Sequence, residues 1–452
     1  MNDAPLSRDD LIGAMARGAK PREQWRIGAE HEKFGFDRST LRRPTHEGDS
    51  GILAMLTGLE RFGWAPVEEA GHLIALERKN ADGLTASISL EPGGQFELSG
   101  APLKDVHEIC DETGRHLMEV KQVADQLNLG FIGVGFDPMW RREDVPVMPK
   151  GRYAIMRAYM PKKGSLGLDM MLRTCTIQAN LDFSDEADMA AKFRTSLALQ
   201  PIGTALFANS PFTEGRPNGF LSARANVWTD TDPDRTGMLN FVFEDGFGFE
   251  RYVDYALDVP MYFVKRDGRY VDASGQSFRD FMEGRLPALP GDHPTMKDWA
   301  DHLTTLFPEV RLKQYLEMRG SDGGPWSRIC GLPALWAGIF YDASALAAAW
   351  DLCKHWDVED HERLRRDVTR LGLKAEVAGR SVQDVARDMI EIARHGLKRR
   401  ERFSGGMVDE TGYLSELEEI AASGITPAER LLERYHGPWG GDVRKMYAEF
   451  AY

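Results

Sequence analysis

Strand-forming and helix-forming segments follow one another irregularly along this chain of 452 residues. Apolar runs typical of strands cover residues 25–36, 85–98, 131–136, 173–183, 240–243, 261–264 and 313–319. Patterns typical of helices cover residues 104–129 and 184–199, the second capped by Ser184 and ended by Pro201. Because no regular strand–helix–strand alternation connects them, the sequence predicts an α+β fold with a largely antiparallel sheet rather than a doubly wound one.

The last quarter of the chain differs from the rest in being strongly helical and charged. No Gly/Ser-rich or Pro-rich linker precedes it. We therefore expect a single unit over residues 1–452, with a sheet-rich core at about 20–342 and a helical C-terminal subdomain at about 343–452.

Composition narrows the class of protein. A hydrophobic content of 42% can build a large core, and a net charge of −14 argues against nucleic acid or an anionic membrane as the main partner. The apolar stretch at residues 332–350 is interrupted by Pro333 and Asp342 and is too short for a membrane span. The first residues lack the basic start and apolar run of a signal peptide, so we expect a cytoplasmic protein.

Pairs of glutamates lie on strand-like segments with apolar neighbours. Glu30 and Glu32 are two residues apart, so on a strand they point to the same face. Glu91 and Glu97 flank a Pro-Gly-Gly bend that can turn both toward one point. For a single pair, a solvated strand face is the ordinary alternative. Several such segments together favour a cluster of hard oxygen ligands, which suits Mg²⁺ and nucleotide phosphates.

Two further segments add polar and cationic groups to this picture. Gln178 and Asn180 share one strand face, and Glu317 shares another with Arg319. Positive charge for a phosphate would come from Arg319 and from further candidates, each of which could equally be an ordinary surface charge: Arg224, Arg235, Lys162 and Lys163.

Taken together, these segments resemble the plant-type glutamate–cysteine ligases found in plants and many proteobacteria. The motifs are GAEHEKFGF (28–36), SLEPGGQFELSG (89–100), YMPK (159–162), GLDMMLRTCT (167–176), ANSPF (208–212), WTDTD (228–232), DYALDVP (254–260) and YLEMRG (315–320). The resemblance covers nearly the whole chain. It implies a catalytic fold related to glutamine synthetase and the guanidino kinases, with a curved antiparallel sheet, flanking helices and the active site in the concave face.

The resemblance also implies a reaction and roles for residues. ATP would phosphorylate the γ-carboxylate of L-glutamate, and L-cysteine would attack the acyl phosphate, giving γ-glutamylcysteine for glutathione biosynthesis. The implied metal ligands for Mg²⁺ are Glu30, Glu32, Glu91, Glu97 and Glu317. The implied catalytic residues are Glu32, Glu97, Arg319 and Arg224, and the implied nucleotide-binding residues are Gln178, Asn180, Lys163 and Arg235.

The four cysteines are scattered without a CxxC pair, which argues against a zinc ribbon or a disulfide-framed scaffold. By the resemblance, Cys110 and Cys330 occupy positions where some plant enzymes carry a regulatory disulfide, while Ala273 and Ala288 replace a second cysteine pair. Buried free thiols are nonetheless the expectation for all four.

Two alternatives stay open at this stage. One is a related carboxylate–amine ligase that joins glutamate to a different amine, and the other is an inactive homologue that binds nucleotide. We expect small-molecule partners only and a monomer or homodimer.

Overall fold

The computed structural model describes residues 5–452, and helices predominate in it. The α-helices in this range are α1 (Arg8–Ala16), α2 (Ile52–Leu59), α3 (Val106–Gln126), α4 (Gly151–Tyr159), α5 (Gly167–Arg173), α6 (Glu186–Leu206), α7 (Ala223–Val227), α8 (Phe249–Asp258), α9 (Phe278–Met282), α10 (Met296–Leu303), α11 (Trp326–Phe340), α12 (Ala343–Cys353), α13 (Val358–Leu371), α14 (Val382–Arg400), α15 (Ser415–Ser423), α16 (Pro427–His436) and α17 (Lys445–Phe450).

The strands are short except for the first. They are β1 (Ile27–Asp37), β2 (Ala65–Glu69), β3 (His72–Lys79), β4 (Thr85–Leu90), β5 (Phe96–Ser99), β6 (Leu129–Ile132), β7 (Thr176–Leu181), β8 (Phe212–Thr213), β9 (Arg216–Pro217), β10 (Thr236–Gly237), β11 (Phe263–Arg266), β12 (Arg269–Asp272), β13 (Phe307–Pro308), β14 (Val310–Leu312), β15 (Leu316–Asp322), β16 (Glu376–Val377) and β17 (Arg380–Ser381).

One nine-stranded sheet organises the molecule. Its order is β14-β15-β7-β1-β5-β4-β3-β2, and β6 pairs with the second half of β1. Every neighbouring pair in it is antiparallel. The predicted α+β class with an antiparallel sheet is therefore confirmed.

The register of the central strands places the polar side chains on one face. Glu32 lies opposite Glu97, Glu30 lies opposite Gln178, and Glu317 lies opposite Asn180. Because opposed residues in a ladder share a face, all of these side chains point the same way. The alternate residues of β1 and β7 are buried on the other face, against which α3, α6 and α11 pack. The carboxylate face is thus the one left open for a ligand.

Several local predictions fail for identifiable reasons. The helix expected over residues 184–199 begins after Asp185, whose side chain caps it, and continues through Pro201 to Leu206. All of its last residues are buried, so tertiary packing outweighs the hydrogen bond that proline cannot donate. The strand expected at residues 240–243 is a short 3₁₀ turn.

Apolar packing is continuous across the boundary predicted at residue 342. One cluster of buried side chains includes Leu197 of α6, Trp336 of α11 and Met389 of α14. Among residues 5–452, no single helix combines the length and apolarity of a membrane span; α11 and α12 together reach them, but with a 95° bend between them. The division into core and C-terminal subdomain stays a prediction.

The cysteines differ from expectation in one pair. Cys110 of α3 and Cys330 of α11 form a disulfide, with their Cα atoms 5.6 Å apart. Cys175 and Cys353 are buried and free, as expected. The spacing of the cysteines does not indicate the disulfide between Cys110 and Cys330, because 220 residues separate them.

Candidate active site

A cavity of about 270 Å³ lies on the carboxylate face of the sheet. Its floor carries Glu30 and Glu32 from β1, Gln178 from β7 and Arg319 from β15. Two further glutamates, Glu91 and Glu97, enter from the β4–β5 hairpin. The cavity therefore has carboxylates and guanidinium groups in one small volume.

The turn between β4 and β5 brings Glu91 toward Glu97. The amide of Gly94 donates to the carbonyl of Glu91 at 2.8 Å, and the amide of Glu91 donates to the carbonyl of Gln95 at 3.0 Å. Gly94 has a φ of +75°, a left-handed conformation that glycine adopts without strain. The Pro-Gly-Gly bend thus turns both glutamates into the cavity, as the sequence predicts.

Neutral donors orient three of the glutamates. The amide of Thr176 donates to Glu32 Oε2 at 3.0 Å, and Asn180 Nδ2 donates to Glu30 Oε1 at 2.7 Å. Glu97 accepts from the hydroxyls of Ser89 and Ser99 at 2.8 and 3.0 Å. These bonds fix the positions of the carboxylates without neutralising their charge.

The negative charges of these carboxylates repel one another. Burial, with the nearby charges of Glu317 and Glu97, raises the pKa of Glu30 to about 7. Burial also raises the pKa of Glu32, helped by Glu91 and Glu97, and that of Glu97, helped by Glu91. A cation between these groups would relieve the repulsion. Carboxylates on rigid strands are the hard oxygen donors that suit Mg²⁺.

Glu317 does not fit the predicted role of metal ligand. It is fully buried and does not line the cavity. Its carboxylate pairs with the Arg311 guanidinium, with Lys313 Nζ at 2.8 Å and with Arg319 NH1 at 3.5 Å. Burial alone would raise the pKa of Glu317, but these three cations outweigh it and hold the pKa well below its usual range. Glu317 therefore acts as the counter-ion of the cationic side of the cavity.

Arg319 and Arg224 form that cationic side. Arg319 NH1 donates to Gln178 Oε1 at 2.8 Å, and burial with the neighbouring Arg311 lowers the pKa of Arg319 to about 10, so it stays charged at neutral pH. Arg224 NH2 donates to the backbone carbonyl of Arg319 at 2.8 Å. The Nε and NH1 atoms of Arg224 are buried without a hydrogen-bond partner among residues 5–452. Because a buried guanidinium requires partners, these two donors indicate an anion-binding position.

A network around Asp322 holds Arg224 in place. Asp322 Oδ2 accepts from the Asn209 amide at 2.8 Å and the Ser210 hydroxyl at 2.6 Å, and Oδ1 accepts from the Ser222 hydroxyl at 2.7 Å. Ser222 is the N-cap of α7, the helix that carries Arg224. No sequence pattern marks this network, since its members come from distant segments.

Two predicted nucleotide-binding residues lie outside the cavity. Arg235 is fully buried and pairs with Asp232 at 2.7 Å, and it also donates to the carbonyl of Pro260 at 2.7 Å. Lys163 pairs with Asp234 at 2.6 Å. This placement does not support the predicted nucleotide-binding roles of Arg235 and Lys163, because acidic partners in the 230–234 segment already engage both side chains. Asn180, a third predicted nucleotide-binding residue, does not line the cavity either, but it donates a hydrogen bond to Glu30, which does.

Further cavity residues escaped sequence analysis. Arg152 of α4 and Arg311 of β14 line it, and so do Trp228 and Phe307, whose rings lie 5.7 Å apart. The alternation Val310-Arg311-Leu312 could have indicated Arg311 as a charged group on an otherwise apolar strand. No comparable signal marks Arg152.

Comparison with known proteins agrees with this geometry. The sequence matches the glutamate–cysteine ligase family 2 (GCS2) over residues 26–449. The chain belongs to this family. Family members with similar sequences include the chloroplastic glutamate–cysteine ligases of Nicotiana tabacum, 57% identical, and Arabidopsis thaliana, 56% identical; each alignment covers 99% of this chain and 83% of the plant protein.

Structural comparison supports the fold of the family. A glutamate–cysteine ligase of Francisella tularensis, solved in complex with AMP, superposes with a TM-score of 0.55 at 12% identity, over 94% of this chain and 89% of that one.

The prediction of a cytoplasmic location is wrong by the sequence comparisons, because the plant relatives are chloroplastic enzymes.

Proposed function

We propose that this protein is a glutamate–cysteine ligase that uses ATP to form γ-glutamylcysteine, the first step of glutathione biosynthesis. Family membership over nearly the whole chain supports this reaction, as do the sequence identities of 57% and 56% to two of the plant enzymes. The observation that carries the proposal is the cavity in which four glutamates face guanidinium groups. This cavity combines carboxylates that can bind a divalent cation with guanidinium groups that can bind anions.

The four cavity glutamates would hold Mg²⁺: Glu30, Glu32, Glu91 and Glu97. When bound, Mg²⁺ would neutralise the phosphate oxygens of ATP. The chain itself contributes fixed positive charge on the opposite side. Arg319 would contact the transferred phosphoryl group, and Arg224 would hold a substrate carboxylate. The hydrogen bond from Arg319 to Gln178 and the two Arg224 donors without a partner among residues 5–452 support these roles.

The chemistry needs no covalent nucleophile from the protein. A γ-carboxylate oxygen of glutamate attacks the terminal phosphorus of ATP, the bond to the bridging oxygen breaks, and ADP leaves. The amine of cysteine, having given up one proton to become neutral, then attacks the acyl carbon. Phosphate leaves with the bonding electrons and takes up the second proton that the nitrogen loses as the amide forms. The cavity supplies positioning and electrostatic stabilisation, the terms that dominate phosphoryl transfer.

We also propose that residues 1–452 act as one catalytic unit. The buried apolar cluster that spans α6, α11 and α14 supports this, because the C-terminal helices pack against the helices that back the sheet.

The test is ADP release by the purified full-length protein with ATP, Mg²⁺ and glutamate, and with cysteine, 2-aminobutyrate or alanine as the amine. We expect turnover that requires glutamate, with cysteine giving the highest kcat/KM. Preference for another amine would assign the protein to a different carboxylate–amine ligation. Absence of ADP with every amine would show a nucleotide-binding homologue without this activity.

A further inference from the structure

A second cluster of metal-ligating side chains lies outside the candidate active site. His46 and Glu47 belong to the loop between β1 and α2, and His72 is the first residue of β3. One ligand atom from each of the three lies within 4.8 Å of the others, and the two imidazole rings are 6.0 Å apart. None of these residues lines the catalytic cavity.

The hydrogen bonding of His46 leaves one ring nitrogen free to bind a metal ion. Its Nε2 lies 3.0 Å from the backbone carbonyl oxygen of Leu73. Because a carbonyl oxygen can only accept, Nε2 carries the proton, and the lone pair of a neutral ring is then on Nδ1. A backbone carbonyl on the far nitrogen is the arrangement that orients histidine ligands in metal sites.

The backbone holds both parts of the cluster in place. The amide of Leu53, in the first turn of α2, donates to the carbonyl of His46 at 2.8 Å, and the hydroxyl of Thr45 donates to the carbonyl of Glu47 at 2.6 Å. His72 lies opposite Glu69 in the backbone ladder of β2 and β3, across the tight turn between these strands. The ligands therefore come from two anchored elements, so an ion bound there would link the loop to the hairpin.

The donor set selects the kind of ion. Two imidazoles and one carboxylate match the three protein ligands of many zinc sites that keep a fourth position for water, whereas Mg²⁺ prefers oxygen donors alone. Glu47 and His72 are exposed, so an ion can enter directly from solvent. We propose that His46, Glu47 and His72 form a binding site for Zn²⁺ or a similar borderline divalent transition metal, separate from the catalytic cavity.

The proposal is tested by titrating Zn²⁺ into chelator-treated full-length protein by calorimetry, with saturating Mg²⁺ present to occupy the acidic cavity. We expect one Zn²⁺ per chain whose affinity falls at least about 100-fold in His72→Ala and in Glu47→Gln, since loss even of groups that only orient a metal ligand costs 10–100-fold. Both side chains are exposed, so the folds of these variants should be preserved, as thermal unfolding without zinc can verify.

The matched control is His395→Ala, which removes an exposed histidine on α14 that pairs with Glu391 at 2.7 Å but has no second histidine beside it in a metal-ligating cluster of the described residues. This variant should bind Zn²⁺ as the wild type does. Equal zinc affinity in the wild type and in His72→Ala would overturn the proposal, and so would a wild type that binds no Zn²⁺ under these conditions.

Discussion

Replacing Glu317 by glutamine tests whether this residue is a counter-ion or a metal ligand. The side chain is fully buried and is the shared partner of three cations, Arg311, Lys313 and Arg319. Glutamine keeps the shape but leaves buried positive charges facing one another, and removing one partner of a buried ion pair costs about 3–5 kcal/mol. At about 2.1 cal/mol/K of unfolding entropy per residue, a chain of 452 residues should lose about 3–5 °C in Tm.

The pH dependence of this loss follows from the direction of the pKa shift. The cations hold the pKa of Glu317 below its unfolded value of about 4.3, so its stabilisation is complete above that value and is lost only as the pH falls through the folded pKa. The contribution of Glu317 itself to the difference in Tm between wild type and Glu317→Gln should therefore be constant from about pH 6 to pH 8. Glu30, whose pKa of about 7 is raised in part by the charge of Glu317, titrates within this range and should make the difference smaller as the pH rises.

The assay is scanning calorimetry at a fixed scan rate, with the Mg²⁺ dependence of ADP release measured in parallel. Glu244→Gln is the control, because Glu244 pairs with Arg251 at 2.6 Å on the exposed surface, where a pair contributes at most about 1 kcal/mol. A Glu317→Gln variant with wild-type Tm but a greatly increased requirement for Mg²⁺ would refute the counter-ion role and support the original metal-ligand prediction.

Three further predictions concern the cavity and the disulfide. Glu97→Gln should lower kcat at saturating Mg²⁺ at least about 10²-fold, the loss typical of an electrostatic stabiliser, and wild-type kinetics would remove Glu97 from the site. Arg224→Lys should raise the KM for glutamate about 10–100-fold, since lysine loses one charge-assisted hydrogen bond of about 1.5–3 kcal/mol. Asp322→Asn should change the same KM in the same direction, because Asp322 accepts from Ser222, the cap of α7. An unchanged KM in both variants would show that Arg224 does not bind the substrate. Cys330→Ser should lower stability by up to about 5 kcal/mol, given the 220-residue separation that the disulfide closes, and reductant should lower the Tm of wild type but not of the variant.

Local sequence patterns predicted which glutamates face the cavity. The two-residue spacing of Glu30 and Glu32 puts both on one face whatever their neighbours are. The Pro-Gly-Gly bend turns Glu91 and Glu97 together because its geometry is local. The antiparallel sheet follows in the same way from the order of strands and helices.

Side chains whose role depends on how strands and turns pack together could not be assigned in this way. Glu317 has the same strand context as Glu30, yet β14 places Arg311 directly opposite it and converts a predicted ligand into a counter-ion. Arg235 is as basic as Arg224, but Asp232, three residues away, and the carbonyl of Pro260 already engage its guanidinium.

The sequence by itself determined which residues share a strand face, where the hairpin turns and which family the chain resembles. Only the tertiary structure decided which charges are neutralised: Arg224 keeps free donors, Glu317 does not keep a free carboxylate, and Cys110 meets Cys330. The physical reason is that side-chain direction and side-chain pairing depend on different parts of the structure. Side-chain direction along a strand is set by the local backbone. Ion pairing depends on how strands and turns are arranged, even for residues two to six positions apart, and the disulfide requires the approach of two helices whose cysteines are 220 residues apart.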